Sequence, residues 1–472
     1  MPGLVANMAK VNTYAFTLIA ATLVAPLHVS AEELRPPSAP TTAPVTATPP
    51  PLPLAKPVYG PPISASADVR GALPPLDWGD APRSIPAKLV DAIAEASRRN
   101  PSVVSAWFLV RASHADVRSA KWRRFPSVST QINTWNTGAD RAVGTLQVGV
   151  PVVAFGRIGA GIKRAEAEQN VALASWRQRV LEISTGATQA YFQYFFSQRR
   201  EIILAEGVEE HRRLVESMTR RFEQEVSPLA DLELARTRLA QMQQELASAR
   251  SQRITWLNQL RELVQDPEFD PGIAPQFVAE LYSTQWDDAP TKAVEYDAGR
   301  ERLLAQAEAA RAEITAARAS LMPQLDAVYS YDEYNGSRAG LALKLQSAPG
   351  LSQLSAISGA EARFSQALTQ VSDLERQLRQ DITSQVIQNE AARERAAIST
   401  EASSTAGRVS QSYVRQFIAG RRSWLDVMNA VRESISAQLS DVEAKFTVMT
   451  TNSQLLLRTG AWQPALLTEE EN

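Results

Sequence analysis

The chain has 472 residues, 44% of them hydrophobic, and a net charge of −2 from 49 basic and 51 acidic residues. That balance leaves no electrostatic footprint for nucleic acid, and the absence of cysteine excludes disulfides, thiolate metal sites, cysteine nucleophiles and acylation at a Cys. Only His28, His114 and His211 are available for histidine chemistry, and no run after residue 30 approaches the ~20 apolar residues of a membrane helix, so any membrane crossing has to be a β-barrel.

At the N-terminus Lys10 precedes an apolar run from Tyr14 to Ala25, followed by Val29-Ser30-Ala31 with small residues at the positions a signal peptidase reads. Residues 1–31 are therefore expected to be a cleaved secretory signal. The next segment, residues 32–84, contains eleven prolines between residues 35 and 62. Such a stretch forms neither helix nor central strand, and it reads as a flexible tether, with proline-motif recognition as its other possible use.

From about Ile85 the composition turns helical, and the sequence repeats itself. Ala112, Val117, Ala120 and Pro126 correspond to Ala309, Ile314, Ala317 and Pro323 at a shift of 197. Phe222, Asp231 and Ala235 correspond to Phe417, Asp426 and Ala430 at a shift of 195. The matches keep one order through both halves, so a unit of about 195 residues occurs twice. The predicted layout is repeat 1 over 85–275, a connector over 276–295, repeat 2 over 296–462 and a tail over 463–472.

Each repeat begins with a helix, over residues 101–124 in the first, where Ala106, Ala112, Ala115 and Ala120 are expected to pack closely. Pro126 ends it. A hairpin at about 127–152 follows, with Val128, Thr130, Ile132, Leu146, Val148 and Val150 alternating against Ser127, Ser129, Gln131, Thr145 and Gln147. The second hairpin, at about 324–347, sets Leu325, Ala327, Tyr329, Tyr331, Leu341, Leu343 and Leu345 against Asp326, Ser330, Asp332, Lys344 and Gln346. A soluble sandwich would also alternate in this way. Strands of about ten residues match a tilted bilayer crossing, and Trp135, Tyr329, Tyr331 and Tyr334 fit interfacial anchors. Four strands cannot close a barrel, for which ~8 is the practical minimum, so further copies of the chain are required.

A long helix from Ala154 to Phe222 leads to a turn at about 222–231 and a return helix. The return helix carries a heptad of Leu232, Ala235, Leu239, Met242, Leu246, Ala249, Arg253, Trp256, Leu260 and Leu263, apolar at every position but Arg253. The second copy answers with a turn at about 417–426 and Met428, Val431, Ile435, Leu439, Val442, Phe446 and Met449. Gly156-Arg157-Ile158-Gly159-Ala160-Gly161 lacks the ending of a phosphate loop and reads as a strand-to-helix turn. No nucleophile–base constellation is visible, so neither enzymatic activity nor a cofactor or resident metal is expected.

The paired corners, Asn100-Pro101, the step from Ala120 to Pro126, and Pro151 with Phe155-Gly156-Arg157 together resemble the TolC family of bacterial outer-membrane channels, over about residues 85–462. The resemblance implies a mainly α fold with a small β part. Three chains would form a homotrimer in which a twelve-stranded barrel continues into a periplasmic α-barrel. It also implies an outer-membrane channel, embedded in outer-membrane lipid, serving efflux or type I secretion. The partners implied are a periplasmic adaptor and an inner-membrane transporter, ABC-type or proton-driven, with no nucleic acid. At the corners it implies a gate of Arg422, Asp231 and Asp426, with uncharged Asn429 at a position where the family has a carboxylate. The adaptor-docking tips would be Phe222, Pro228, Leu229, Phe417, Gly420 and Leu425. Phe417 replaces a hydrogen-bonding Tyr, and Glu225 stands where the second corner has Gly420. A periplasmic or secreted coiled-coil scaffold is the alternative that the heptads alone would allow.

Overall fold

The computed structural model describes residue 73 and residues 76–133, 143–332, 336–345 and 352–466. The signal segment, most of the proline-rich segment, Trp135 and Tyr334 lie outside the described residues.

A two-residue strand β1 (Leu76–Asp77) precedes helices α1 (Ala87–Arg99) and α2 (Pro101–Trp122). Asn100 separates the two helices: its side chain accepts from Ser102 N–H at 3.0 Å, capping α2, while Pro101 occupies the position that needs no N–H donor. The Asn100 amide also donates to the Leu263 carbonyl at 3.2 Å. Strands β2 (Ser127–Asn133) and β3 (Val143–Val153) follow, then α3 (Arg157–Glu223) and α4 (Leu229–Val264). A 3-10 turn (Ala279–Tyr282) and α5 (Ala289–Tyr296) occupy the connector before α6 (Ala298–Ala319), β4 (Gln324–Asp332), β5 (Gly336–Lys344), α7 (Ser352–Ile418) and α8 (Trp424–Arg458). Strand β6 (Ala465–Leu466) pairs antiparallel with β1.

The two halves match element for element. Helices α2 and α6 have 22 residues each, α3 and α7 have 67 each, and α4 and α8 have 36 and 35. At 1.5 Å per residue the 67-residue helices run roughly 100 Å. At the strand-to-helix step Gly156 takes φ +86°, a left-handed conformation that costs glycine little.

Strands β2, β3, β4 and β5 form one antiparallel sheet in chain order, so the hairpins of the two repeats join side by side along β3 and β4. Its outer strands, β2 and β5, have no further partner among the described residues.

Three apolar clusters hold the helices among the described residues. A small one sets Val117 and Ala120 of α2 against Ile162 and Ala165 of α3, and two are larger. One contains Trp176, Tyr191, Phe192, Phe195, Leu260 and Met449. The other, toward the helix–helix corners, contains Leu204, Met218, Leu232, Phe417, Trp424 and Val427. Heptad positions Leu232, Ala235, Met242, Leu246, Ala249 and Leu260 are buried, and the odd member, Arg253, bonds Glu201 of α3 at 2.6 Å. The expected alanine seam of α2 is different. Ala112 and Ala115 are exposed, and the buried line is Val103, Val110, Ser113, Val117 and Ala120. The inner line carries three valines, and Ala112 and Ala115 share the outer surface with Phe108 and Leu109.

Candidate functional site

Both corners use the same backbone device. In the second, Gly420 takes φ +71°, its N–H bonds the Phe417 carbonyl at 2.9 Å, and Arg421 N–H bonds Gln416 at 2.9 Å. In the first, Glu225 takes φ +61°, its N–H bonds Phe222 at 2.9 Å, and Val226 N–H bonds Arg221 at 2.9 Å. This is a Schellman-type helix end, and it satisfies carbonyls that would otherwise be orphaned. The next helices start alike. Ser423 Oγ accepts from Asp426 N–H at 3.2 Å, and Pro228 holds the same cap position, one residue outside α4.

One guanidinium bridges each corner, across equivalent positions. Arg422 Nε donates to Gln416 Oε1 at 3.3 Å, and Arg221 Nε donates to Ser227 Oγ at 3.3 Å. Positions 416 and 422 correspond to 221 and 227 at the repeat shift, so the arginine has changed sides. Arg422 also lies 4.3 Å above the Tyr413 ring and 3.7 Å from the Asp426 carboxylate. Arg221 reaches across to the other corner, 5.0 Å from the centre of the Phe417 ring.

Within the chain the ion partner of Arg422 is Asp426. Arg422 stands just before the N-terminus of α8 and Asp426 in its first turn, four residues on, so the near carboxylate captures it. Both side chains are substantially exposed, so the pair is worth only ~0–1 kcal/mol. The two corners are joined by Arg221 over Phe417 and by a shared apolar cluster that includes Met218, Leu232, Phe417 and Trp424. Neither Arg221 nor Tyr413 was singled out from sequence, although Tyr413 lies one helical turn before Phe417, on the same face.

Of the expected docking residues, Phe222, Pro228, Leu229, Gly420 and Leu425 are exposed. Phe417 is not, at 4% exposure; it packs inward, and neighbouring Ile418 takes the outer position. Asn429 and Leu425 line a groove of about 320 Å³ between α4 and α8, together with His211, Arg238, Glu245 and Trp424. His211 is buried and donates from Nδ1 to the Gly207 carbonyl at 2.8 Å. Burial pushes its pKa below the ordinary histidine range and Arg238 adds to this, while the Gly207 bond and Glu245 oppose it.

In the sheet, Val128 faces Val148, Leu146 faces Tyr331, and Val148 faces Tyr329, all on one side. Val128, Ile132, Tyr329, Tyr331, Leu341 and Leu343 of that face are exposed. The other face carries Ser127, Ser129, Gln131, Thr145, Gln147 and Ser330, and there Lys344 Nζ lies 2.9 Å from Asp326. An exposed apolar face backed by a paired polar face is the pattern of a strand with lipid on one side and water on the other.

Residues 92–264 match the family described as Outer membrane efflux protein. Among solved structures, the chain is similar to the outer-membrane channel OprN at 17% identity and a TM-score of 0.69, covering 79% of this chain and 90% of that one. It is also similar to the outer membrane protein VceC of Vibrio cholerae at 19% identity and a TM-score of 0.66, covering 79% and 96%. A third is the MtrE outer membrane channel of Neisseria gonorrhoeae in its open state, at 14% identity and a TM-score of 0.66, covering 79% and 89%. No curated protein matches the chain in sequence. At these identities the structural likeness speaks for the fold.

Proposed function

We propose that the chain is a TolC-like channel, working as the passive, homotrimeric outer-membrane conduit of a tripartite export system; the match of residues 92–264 to the Outer membrane efflux protein family and the shared fold support this. The observation that carries this reading is the sheet. Its four strands expose an apolar face, pair polar groups on the other, and end in two edges without partners among the described residues. An open edge in lipid leaves backbone donors and acceptors unsatisfied at several kcal/mol each, so the sheet has to close. Three copies supply twelve strands, enough for a lumen.

The 67-residue helices then carry the conduit roughly 100 Å into the periplasm, toward an adaptor and an energised inner-membrane transporter. The pore supplies a polar path and the transporter the driving force. In a trimer, three Asp426 carboxylates and three Asp231 carboxylates would surround the narrow end, where Arg422 offsets part of their repulsion. We assign to Arg422 the task of holding the second corner inward through Tyr413, Gln416 and Asp426.

Two measurements test the reading. The full-length protein should run as a heat-modifiable trimer from outer-membrane fractions, whereas a wholly soluble protein would point to a scaffold. In planar bilayers Arg422→Ala should conduct more often than wild type; a variant equally closed would remove Arg422 from the gate. Crosslinking then sorts the cargo class, since a secretion-type ATPase indicates protein export and a proton-driven pump indicates small molecules.

A further inference from the structure

The two helix-to-strand junctions are built from different chemistry. Before Pro126 the first repeat reads Lys121-Trp122-Arg123-Arg124-Phe125, and before Pro323 the second reads Arg318-Ala319-Ser320-Leu321-Met322. All five residues of the first run are exposed, Trp122 at 65% and Phe125 at 57%, with their ring centres 4.9 Å apart. Packing within the chain does not require two large aromatics in water. Their neighbourhood is apolar as well: Ser127 pairs with Gly149, so the exposed Val152 and Phe155, a few residues further along, lie at this end of the sheet.

The cations beside them differ from those of the second repeat in one respect. Lys121 lies 3.6 Å from Glu166, but Arg123 and Arg124 have no ion pair among the described residues. Arg318, which corresponds to Lys121, is bound to Glu361 at 2.6 Å. Only the first junction therefore combines exposed aromatic rings with unpaired guanidinium groups, immediately next to the apolar face of a strand. Aromatic bodies at the hydrocarbon boundary, with cations reaching outward, complement anionic lipid headgroups.

We propose that Lys121 to Phe125 forms an anchor for anionic phospholipid at the helix-side surface of the membrane, carried by the first repeat alone. Trp122 and Phe125 fix the depth, while Arg123 and Arg124 select the headgroup charge. The proposal rests on the membrane-channel reading above.

The test places the full-length protein in phosphatidylcholine vesicles containing spin-labelled phosphatidylglycerol or spin-labelled phosphatidylcholine, and reads the motionally restricted lipid by electron paramagnetic resonance. At low salt, wild type should favour phosphatidylglycerol by about two- to threefold, and added salt should reduce the preference. Arg123→Gln with Arg124→Gln should abolish the preference, while Arg318→Gln leaves it intact. The proposal is overturned if the double variant keeps the preference, or if wild type restricts both lipids equally. Crosslinks from residues 123 and 124 to a neighbouring subunit, with no lipid preference, would also overturn it and assign the run to a protein interface. If no lipid is restricted at all, the channel reading fails with it, so the two failures are distinguishable.

Discussion

The two corners share a backbone and divide its chemistry. Glu225 at φ +61° and Gly420 at φ +71° close the same helix end, and each corner is bridged by one arginine across the same two positions. What differs is which side chain goes inside. Phe417 is buried and covered by Arg221, whereas its counterpart Phe222 is 39% exposed. A duplicated turn thus keeps what the peptide backbone demands, while burial distinguishes an inner corner from an outer one.

The largest expected effect tests that division directly. Phe417→Ala should lose about 3–5 kcal/mol by emptying a packed site, while Phe222→Ala should stay within about 1 kcal/mol. Thermal unfolding and hydrogen exchange of the corner amides read both; equal losses would break the distinction. Smaller, and of opposite sign at the two corners, are backbone changes. A Cβ at Gly420 meets nothing within 4 Å, so Gly420→Ala isolates the left-handed penalty of about 1–2 kcal/mol. Glu225→Gly should recover about 1 kcal/mol by relieving the same penalty. If Glu225→Gly destabilises its corner, the glutamate side chain is making a contact that outweighs its strain.

The smallest effect concerns pH. His211 sits in the first repeat where the second has Ala406, and its buried imidazole favours the neutral form. The unfolded chain therefore takes up a proton first, so stability is complete above the ordinary value of 6.5 and declines as pH falls from there toward the depressed folded value. His211→Gln should flatten that decline in pH-dependent melting. Neighbouring Glu210 has its carboxyl pushed upward by burial against the opposing pull of Arg213, so it contributes the opposite slope, near the carboxylate range. An unchanged slope in His211→Gln would remove His211 from the pH response.

Much of this was legible in the residues. The heptad from Leu232 and the alternation from Ser127 name a coiled partner and a two-faced strand because each rests on a local period, 3.5 or 2. Ser423 and Gly420 announce a cap and a helix end for equally local reasons. The alanines of α2 misled, since small size says where close approach is allowed and not which face faces inward.

The sequence by itself determined the duplication, the element types, the lack of a membrane helix and the need for further copies to close the sheet, because all of these follow from spacing along the chain. Only the tertiary structure decided that Arg422 turns to Asp426 and Tyr413, that Arg221 reaches Phe417, and that the unpaired cations lie with exposed aromatics at one junction. Those outcomes depend on which of several charges and rings fall within a few ångströms of each other. For Arg221 and Phe417 that distance is set by how the long helices pack, which neither segment encodes alone. For Arg422 and the run before Pro126 the groups are near in the chain, and the fold decided which contacts form and which side chains stay exposed.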